Sequence, residues 1–513
     1  MCVFSRFLYY FTTMKVFSAS QIRACDTYTI HASKITSYEL MERAAGKCVE
    51  WINENLPSDS VFIVLCGSGN NGGDGLAITR MLHRQGYNAK AFLLRLSDEL
   101  TEDCRKNFER LAGIDKELLE ILPEDSLIAD VPENVIIIDA LLGTGLNRPA
   151  EGWVADFIEH INELGNQVVA IDIPSGMPAD SVPQEGAAII KARHTLSFQF
   201  YKKAFLHPET GRCAGDVHIL DIGLSAKFIS STHTSFHILT KQHATNFLKP
   251  RDRFTHKGDY GLAYIVAGSK GMMGAAVLAA KAALRSGAGK VKTLVPECGY
   301  EILQTSVAEA MCVVSGETCI SRIKEWEQAT TVGIGPGLGT SEATSRTFSE
   351  FITACKEPLV IDADGLNMLA ADKDLLHRIP ADSVLTPHPK EFERLFGKSK
   401  DSMFMLELAR TQSMKYNLYI VLKGHNTAIV TPEGECWYNQ TGNPGMATGG
   451  SGDVLTGLIT GLMAQGYDSF DAACMGVYLH GLAGDYAAAK WGEHAMSAGD
   501  IVDNIGKAFL AIS

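Results

Sequence analysis

No two cysteines of this chain stand two residues apart; its 12 cysteines are scattered singly over 513 residues. That spacing excludes zinc modules built on paired thiolates and a disulfide framework, and it fits a reducing compartment, so a cytoplasmic location is expected. Apolar runs of the roughly 18–20 residues that cross a bilayer are missing, so no membrane partner is expected. Basic residues are outnumbered, 46 Lys and Arg against 59 Asp and Glu, for a formal charge of −13. This disfavours nucleic acid and anionic membranes as partners, although a local phosphate site is compatible with an acidic chain. The pattern G-x-x-x-x-G-K-[ST] is absent, which excludes a P-loop nucleotide site. The opening stretch MCVFSRFLYYFTT is short and aromatic without a small-residue cleavage site. It reads as a frayed tail rather than a signal segment, with a more ordinary start at Met14.

What the chain does have is alternating apolar strands and glycine-rich loops. With 513 residues, 46% of them hydrophobic, it exceeds one core, and two or three globular domains are expected. Residues 18–55 read as helical, with Ser37 as a candidate cap. Residues 61–65 are wholly apolar, as in a buried strand. They run into Cys66-Gly-Ser-Gly-Asn-Asn-Gly-Gly-Asp-Gly75, read as a loop, before a helix at 76–85. Gly67, Gly69 and Gly72 match G-x-G-x-x-G, but residues 88–96 hold no carboxylate for a ribose, so an ordinary dinucleotide site is not expected. The Asn-Asn-Gly-Gly-Asp-Gly insert gathers amide carbonyls and one carboxylate, a set suited to a hard cation beside a polar ligand. Strands at 135–139 and 168–172 likewise end in Asp139 and Asp172 and pass into glycine-bearing loops. Ligands of open α/β sheets bind beyond strand carboxyl ends, so three such loops point to one composite site. Singly, each Asp is more often a loop cap.

Residues 225–245, rich in Ser, Thr and His, read as a connector, part of it strand. His233, His237 and His243 have no Cys or carboxylate company and read as surface residues. The β/α alternation then restarts. Ala267-Gly-Ser-Lys-Gly-Met-Met-Gly274 separates a strand from an Ala-rich helix at 275–285. Gly335-Pro-Gly-Leu-Gly339 and Asp362-Ala-Asp-Gly365 each follow a strand. His388 stands between two prolines that fix its backbone. Last comes Thr448-Gly-Gly-Ser-Gly-Asp453, followed by an apolar helical run at 454–463. Glycine-borne N–H groups and the positive end of that helix make an anion nest, Lys423 adds a point charge, and Asp453 is a candidate base. Taken alone, a glycine turn capped by Asp is an equal reading. The whole set suits phosphoryl transfer, which needs positioning, charge neutralisation and usually Mg²⁺.

The first half resembles the YjeF N-terminal family, the NAD(P)H-hydrate epimerases, over roughly residues 15–220. The resemblance rests on Asn70-Asn-Gly-Gly-Asp74, Asp139, Gly143-Thr-Gly-Leu-Asn-Arg-Pro149 and Ile171-Asp-Ile-Pro-Ser-Gly176. It implies a substrate site of Asn70, Asn71, Gly72, Gly73, Asp74, Gly143, Thr144, Gly145, Leu146, Asn147, Arg148, Pro149 and Asp172, with Asp172 as the catalytic carboxylate. It also implies a potassium site of Asn71, Asp139 and Ser175. The second half, about residues 245–510, is similar to the ribokinase-like kinases and, among them, to the YjeF C-terminal family of ADP-dependent NAD(P)H-hydrate dehydratases. The matching stretches are His256-Lys-Gly, Gly274-Ala275, Ala283-Leu-Arg-Ser-Gly-Ala-Gly289, Gly335 to Gly339, Asp362 to Gly365, Thr386-Pro-His-Pro-Lys-Glu391, Val421-Leu-Lys-Gly424 and Gly450-Ser-Gly-Asp453. They imply that Ala275, Gly337, His388 and Asp453 face the substrate. Lys423, Gly424, His425, Asn426, Thr427 and Gly452 are implied to hold the nucleotide. His388-Pro389 goes with ADP rather than ATP. Gly449-Gly450 and Lys390 depart from the usual pattern outside those roles.

The expected fold class is α/β with two doubly wound domains. One is a Rossmann-like three-layer sandwich at 15–224 and the other a ribokinase-like domain at 246–513, joined by a connector at 225–245. The expected activity is repair of hydrated NADH and NADPH: epimerisation at C6, then nucleotide-dependent dehydration of the S form. Expected partners are NADHX, NADPHX and ADP, with K⁺ in the first half, Mg²⁺ with the nucleotide in the second, and a second copy of the chain. Two rivals stay open. A small-molecule kinase with an accessory ligand-binding domain predicts a stable phosphorylated product, and a nucleotide sensor predicts no turnover.

Overall fold

Seven strands, each parallel to its neighbours, make the first sheet: β1 (Val61–Cys66), β2 (Asn88–Leu94), β3 (Leu119–Leu122), β4 (Val135–Ala140), β5 (Val168–Ile171), β6 (His194–Phe198) and β7 (Asp216–Leu220). Their order is β3-β2-β1-β4-β5-β6-β7. Alternation along β1 explains the layering. Phe62 and Val64 join a core with Ile52 and Leu76 on one face, while Leu65 joins Ile137 and Phe157 on the other. A sheet buried on both faces between helices is the doubly wound arrangement expected from its apolar strands. The strand order reverses between β1 and β4, which opens a crevice at their carboxyl ends.

The computed structural model describes residues 14–97, 99–128, 131–145 and 148–513. They divide into two compact units, residues 15–234 with 401–403, and residues 235–400 with 404–513. Residues 1–13, expected to fray, and Leu146 and Asn147 of the expected substrate loop lie outside the described residues.

Helices α1 (Ala19–Ser33) and α2 (Ser37–Asn55) open the first unit, each with a capping box, from Ser18 with Gln21 and from Thr36 with Glu39. The cap of α2 is therefore Thr36, and Ser37 is its first helical residue. A larger difference concerns α3 (Asn70–Arg84), which begins six residues before the expected Leu76. The Asn-Asn-Gly-Gly-Asp-Gly insert is its first turns rather than a loop. Glycine makes that start possible: a Cβ on Gly72 would lie 1.8 Å from the Gly67 carbonyl oxygen, and one on Gly73 would lie 2.8 Å from the Met41 sulfur. Helices α4 (Glu102–Ala112) and α5 (Trp153–Glu163) complete the layers used below.

The second unit's strands are β8 (Phe236–Leu239), β9 (Leu262–Val266), β10 (Lys290–Val295), β11 (Met311–Val314), β12 (Thr331–Ile334), β13 (Leu359–Ile361), β14 (Val384–Leu385), β15 (Tyr419–Leu422), β16 (Ala428–Val430) and β17 (Cys436–Asn439). From β8 onward the order is β8-β17-β16-β15-β14-β13-β12-β9-β10-β11. It is parallel except where β16 pairs with β15 and β17. Its order reverses between β9 and β12, so a second crevice opens beside the loops that follow them. Helices α6 (Met273–Arg285), α7 (Ala363–Ala371), α8 (Pro389–Phe396), α9 (Ser451–Ala464), α10 (Ser469–Trp491) and α11 (Ala498–Ile512) pack around this sheet. The alanines of α6 serve close packing: a Cβ on Gly457 of α9 would fall 2.1 Å from the Ala279 carbonyl oxygen.

Part of the expected connector is structured. Phe236–Leu239 pairs in parallel with Cys436–Asn439 because its apolar residues complete the sheet's buried face. His237 and His243 are buried, not surface residues: both rings pack on Trp437, at centroid distances of 4.5 and 5.2 Å. Among the described residues, no helix is long and apolar enough to cross a membrane.

Candidate functional site

In the first unit the crevice is lined by the N-terminus of α3 and the loops after β4 and β5. Asp139, at the end of β4, is fully buried. Its carboxylate accepts from the Ser175 hydroxyl at 2.5 Å, the Ser175 N–H at 2.8 Å and the Leu141 N–H at 3.2 Å. Burial pushes its proton affinity up to about 6 against those hydrogen bonds, which favour the ionised form. Asn71 donates its amide to the Leu142 carbonyl at 3.0 Å, and its own Oδ1 is buried without a hydrogen-bond partner. Gly143 lies against Asn71, where a Cβ would come within 3.2 Å. Asn71, Asp139, Ser175 and Gly143 therefore meet. Thr144 is half-buried on the same loop, and Gly145, Arg148 and Pro149 stand exposed, as does Asn70 at the start of α3.

Asp172 sits just past β5 with a left-handed backbone, φ 64°. Few non-glycine residues adopt that conformation without a local reason. Here the reason is its carboxylate, which accepts from the ammonium of Lys202 and, at 3.2 Å, from the Phe198 N–H. Lys202 is fully buried and also donates to the Ser197 hydroxyl at 2.7 Å. Burial and the Asp172 charge raise the proton affinity of Asp74, well above the carboxylate range, and of Asp26, to about 7. Three carboxyls and one ammonium thus share this end of the crevice, and the low-dielectric surroundings keep protons on part of the set. Asp26 and Lys202 carried no local sequence signal. Lys202 and Lys203 are adjacent, and only the fold turns the first one inward.

In the second unit Asp453 lies in the first turn of α9, behind Gly450 at φ 92°. Burial first, then the Asp362 and Asp364 charges against that of Lys423, raise its proton affinity to about 7. Lys423 donates to Asp362 at 2.8 Å, and Glu391 stands 3.9 Å away. The other Asp362 oxygen accepts from the Thr456 hydroxyl at 2.7 Å. A Cβ on Gly452 would lie 3.3 Å from the Lys423 nitrogen and 3.5 Å from Asp362, so the nest and the lysine are in contact. Asp362 and Glu391 stand inside stretches already singled out, but their roles depend on contacts that sequence does not display. Thr456 carried no signal.

His388 caps α8: its Nδ1 accepts from the Lys390 and Glu391 N–H groups. That is a structural duty, and it leaves Nε2 3.4 Å from the buried Glu391 carboxylate. Across the switch point, Gly337 has φ 61°, and a Cβ there would come 2.7 Å from the Met272 carbonyl oxygen and 3.1 Å from the Ala275 methyl. Gly337 and Ala275 therefore lie against each other, both half-buried. Gly424 and His425 are exposed beyond β15, with Asn426 and Thr427 half-buried.

Each unit thus offers a strand-end site with carboxylates whose proton affinity is raised by burial, one beside a buried lysine and one at a helix start beside Lys423. A family model described as NAD(P)H-hydrate dehydratase matches residues 263–507, and the model of the YjeF-related protein N-terminus matches residues 37–204. The bifunctional NAD(P)H-hydrate repair enzyme of Moorella thermoacetica is 37% identical over 507 residues, 96% of each chain. That of Escherichia coli strain K12 is 33% identical over 96% of this chain and 93% of its own. A crystal structure of the Bacillus subtilis ADP/ATP-dependent NAD(P)H-hydrate dehydratase is 31% identical and covers 54% of this chain and 98% of its own, with a TM-score of 0.48. The chain belongs to the family of bifunctional NAD(P)H-hydrate repair enzymes.

Proposed function

We propose that the chain repairs hydrated NADH and NADPH in two steps. The first unit interconverts the R and S forms at C6, and the second dehydrates the S form at the expense of a nucleoside diphosphate. The observation that carries this reading is the full-length family match, which joins the two matched domains in one chain.

In the second unit, Lys423 and the N–H groups at the start of α9 hold the phosphates, with Gly424, His425, Asn426, Thr427 and Gly452 around the nucleotide. Ala275, Gly337 and His388 border the hydrated ring. Asp453 takes the proton of the C6 hydroxyl as that oxygen bonds to the terminal phosphorus of ADP, and AMP leaves with the electron pair of the broken P–O bond. The C6–O bond then breaks with its electrons on phosphate, the ring nitrogen's lone pair fills the gap, and loss of a C5 proton restores the dihydropyridine. Among the described residues no three carboxylates are grouped to hold a metal, so Mg²⁺ would be carried chiefly by the nucleotide's own phosphates beside Asp362 and would supply charge neutralisation there.

In the first unit, Asp172 moves the proton, and Lys202 holds its carboxylate in place. Asn70, Asn71, Gly72, Gly73, Asp74, Gly143, Thr144, Gly145, Leu146, Asn147, Arg148 and Pro149 are assigned to the substrate. The unpartnered Asn71 Oδ1 beside Asp139 and Ser175 fits a potassium ion, whose charge would hold Asp139 ionised.

The test is incubation of mixed hydrate epimers with ADP or with ATP, followed by reduced-nicotinamide absorbance and phosphate release. Full conversion of both epimers with free phosphate supports the reading. Accumulation of a stable phosphorylated product points to the kinase instead.

A further inference from the structure

We propose that the second unit carries a separate ligand site, for a small organic phosphate with an apolar or aromatic body, at the C-terminal ends of α6 and α9. A cavity of about 580 Å³ opens there, within the range of small-molecule sites. Asp453 is at the opposite end of α9, so the two sites are roughly 18 Å apart along that helix.

Charge is what sets this cavity apart. Lys249, Arg251 and Arg285 line it, and no Asp or Glu does, in a chain of formal charge −13. The half-charges of three helix C-termini, those of α6, α9 and α11, oppose an anion, about −0.5 each. Three full positive charges outweigh them.

Two of the three cations are held in position. Lys249 donates to the Gly466 carbonyl at 2.6 Å and lies over the Tyr467 ring at 4.5 Å. Arg251 donates to the Gly287 carbonyl and to the Gln465 side chain, and stacks 3.9 Å from the Tyr260 ring centroid. Each contact uses part of the donor set, which leaves further N–H groups on pinned heads, so a ligand need not freeze them. Among the described residues, Arg285 makes no hydrogen bond or ion pair and is exposed. Tyr467, Phe509 and Ile512 supply the apolar wall. Cations arriving from three segments suit the several oxygens of a phosphate better than the two of a carboxylate.

The probe is phenyl phosphate, titrated calorimetrically into the full chain saturated with ADP, with benzoate as the comparison. One phenyl phosphate should bind while ADP stays bound. Arg285→Gln should weaken it about fivefold or more, Arg285→Lys should recover most of the loss, and Asp453→Asn should leave it unchanged. Benzoate should bind several-fold more weakly. Absence of binding once ADP is present, equal affinity in Arg285→Gln, or benzoate binding as tightly as phenyl phosphate would each overturn the proposal.

Discussion

Asp453→Asn should make this protein more stable and stop its dehydration step, and the two effects separate by pH. In the folded chain Asp453 titrates near 7 instead of its ordinary 3.8, chiefly because it is buried. The folded state therefore holds a proton that the unfolded state releases between those values. The stability tied to that proton is fully present below the unfolded value and is lost as pH rises through about 7. About three pKa units at 1.36 kcal/mol each set an upper bound near 4 kcal/mol; solvent and relaxation bring it to the order of 2 kcal/mol. Asparagine has nearly the same shape and no charge. The variant should match the parent near about pH 4 and exceed it by roughly 2 kcal/mol, a few degrees of melting temperature, near about pH 8. Turnover with ADP should fall about 10²–10⁴-fold, as for loss of a general base. Thermal unfolding at both pH values and absorbance assays on the S hydrate measure the two halves. A variant less stable than the parent at the higher pH, or a difference that ignores pH, refutes the burial argument. Retained turnover refutes the assignment of the base.

Other perturbations probe the remaining contacts. Asp172→Ala should abolish conversion of the R hydrate and leave S-hydrate repair intact, read by supplying each epimer separately. Lys202→Met strands the Asp172 carboxylate in the crevice and should cost about 3 kcal/mol in denaturant unfolding of the first unit; a double variant with Asp172→Asn should recover part of that loss, whereas simple additivity would argue against the pair. In Gly452→Ala the new methyl would sit 3.3 Å from the Lys423 nitrogen; the KM for ADP should rise about tenfold with a smaller change in kcat. Asn71→Leu removes the unpartnered carbonyl oxygen, so any gain in epimerisation rate from K⁺ over choline in the parent should disappear.

Much of the fold was legible because its signals are local. Apolar β-branched runs announce buried strands, and glycine marks where a helix start presses against a strand end, as at Gly72. The places of Asp139, Asp172 and Asp453 in the fold were legible for the same reason: each ends a strand or starts a helix. The helix start at Asn70 was read as a loop because two adjacent glycines lower helix propensity, and only the packing against Gly67 and Met41 overrides that. His237 and His243 were read as surface residues because nothing near them in sequence reveals Trp437.

The sequence by itself determined the two-part β/α organisation and the glycine-rich loops at the strand ends, since both follow from residue period and backbone freedom. Tertiary structure alone decided which charges meet. Lys202 turns inward to Asp172, Asp26 joins it from α1, and Asp362 ties Lys423 to Thr456. The raised proton affinity of Asp453 belongs to the same set, because desolvation and the field of other charges depend on distances in space that chain order does not contain.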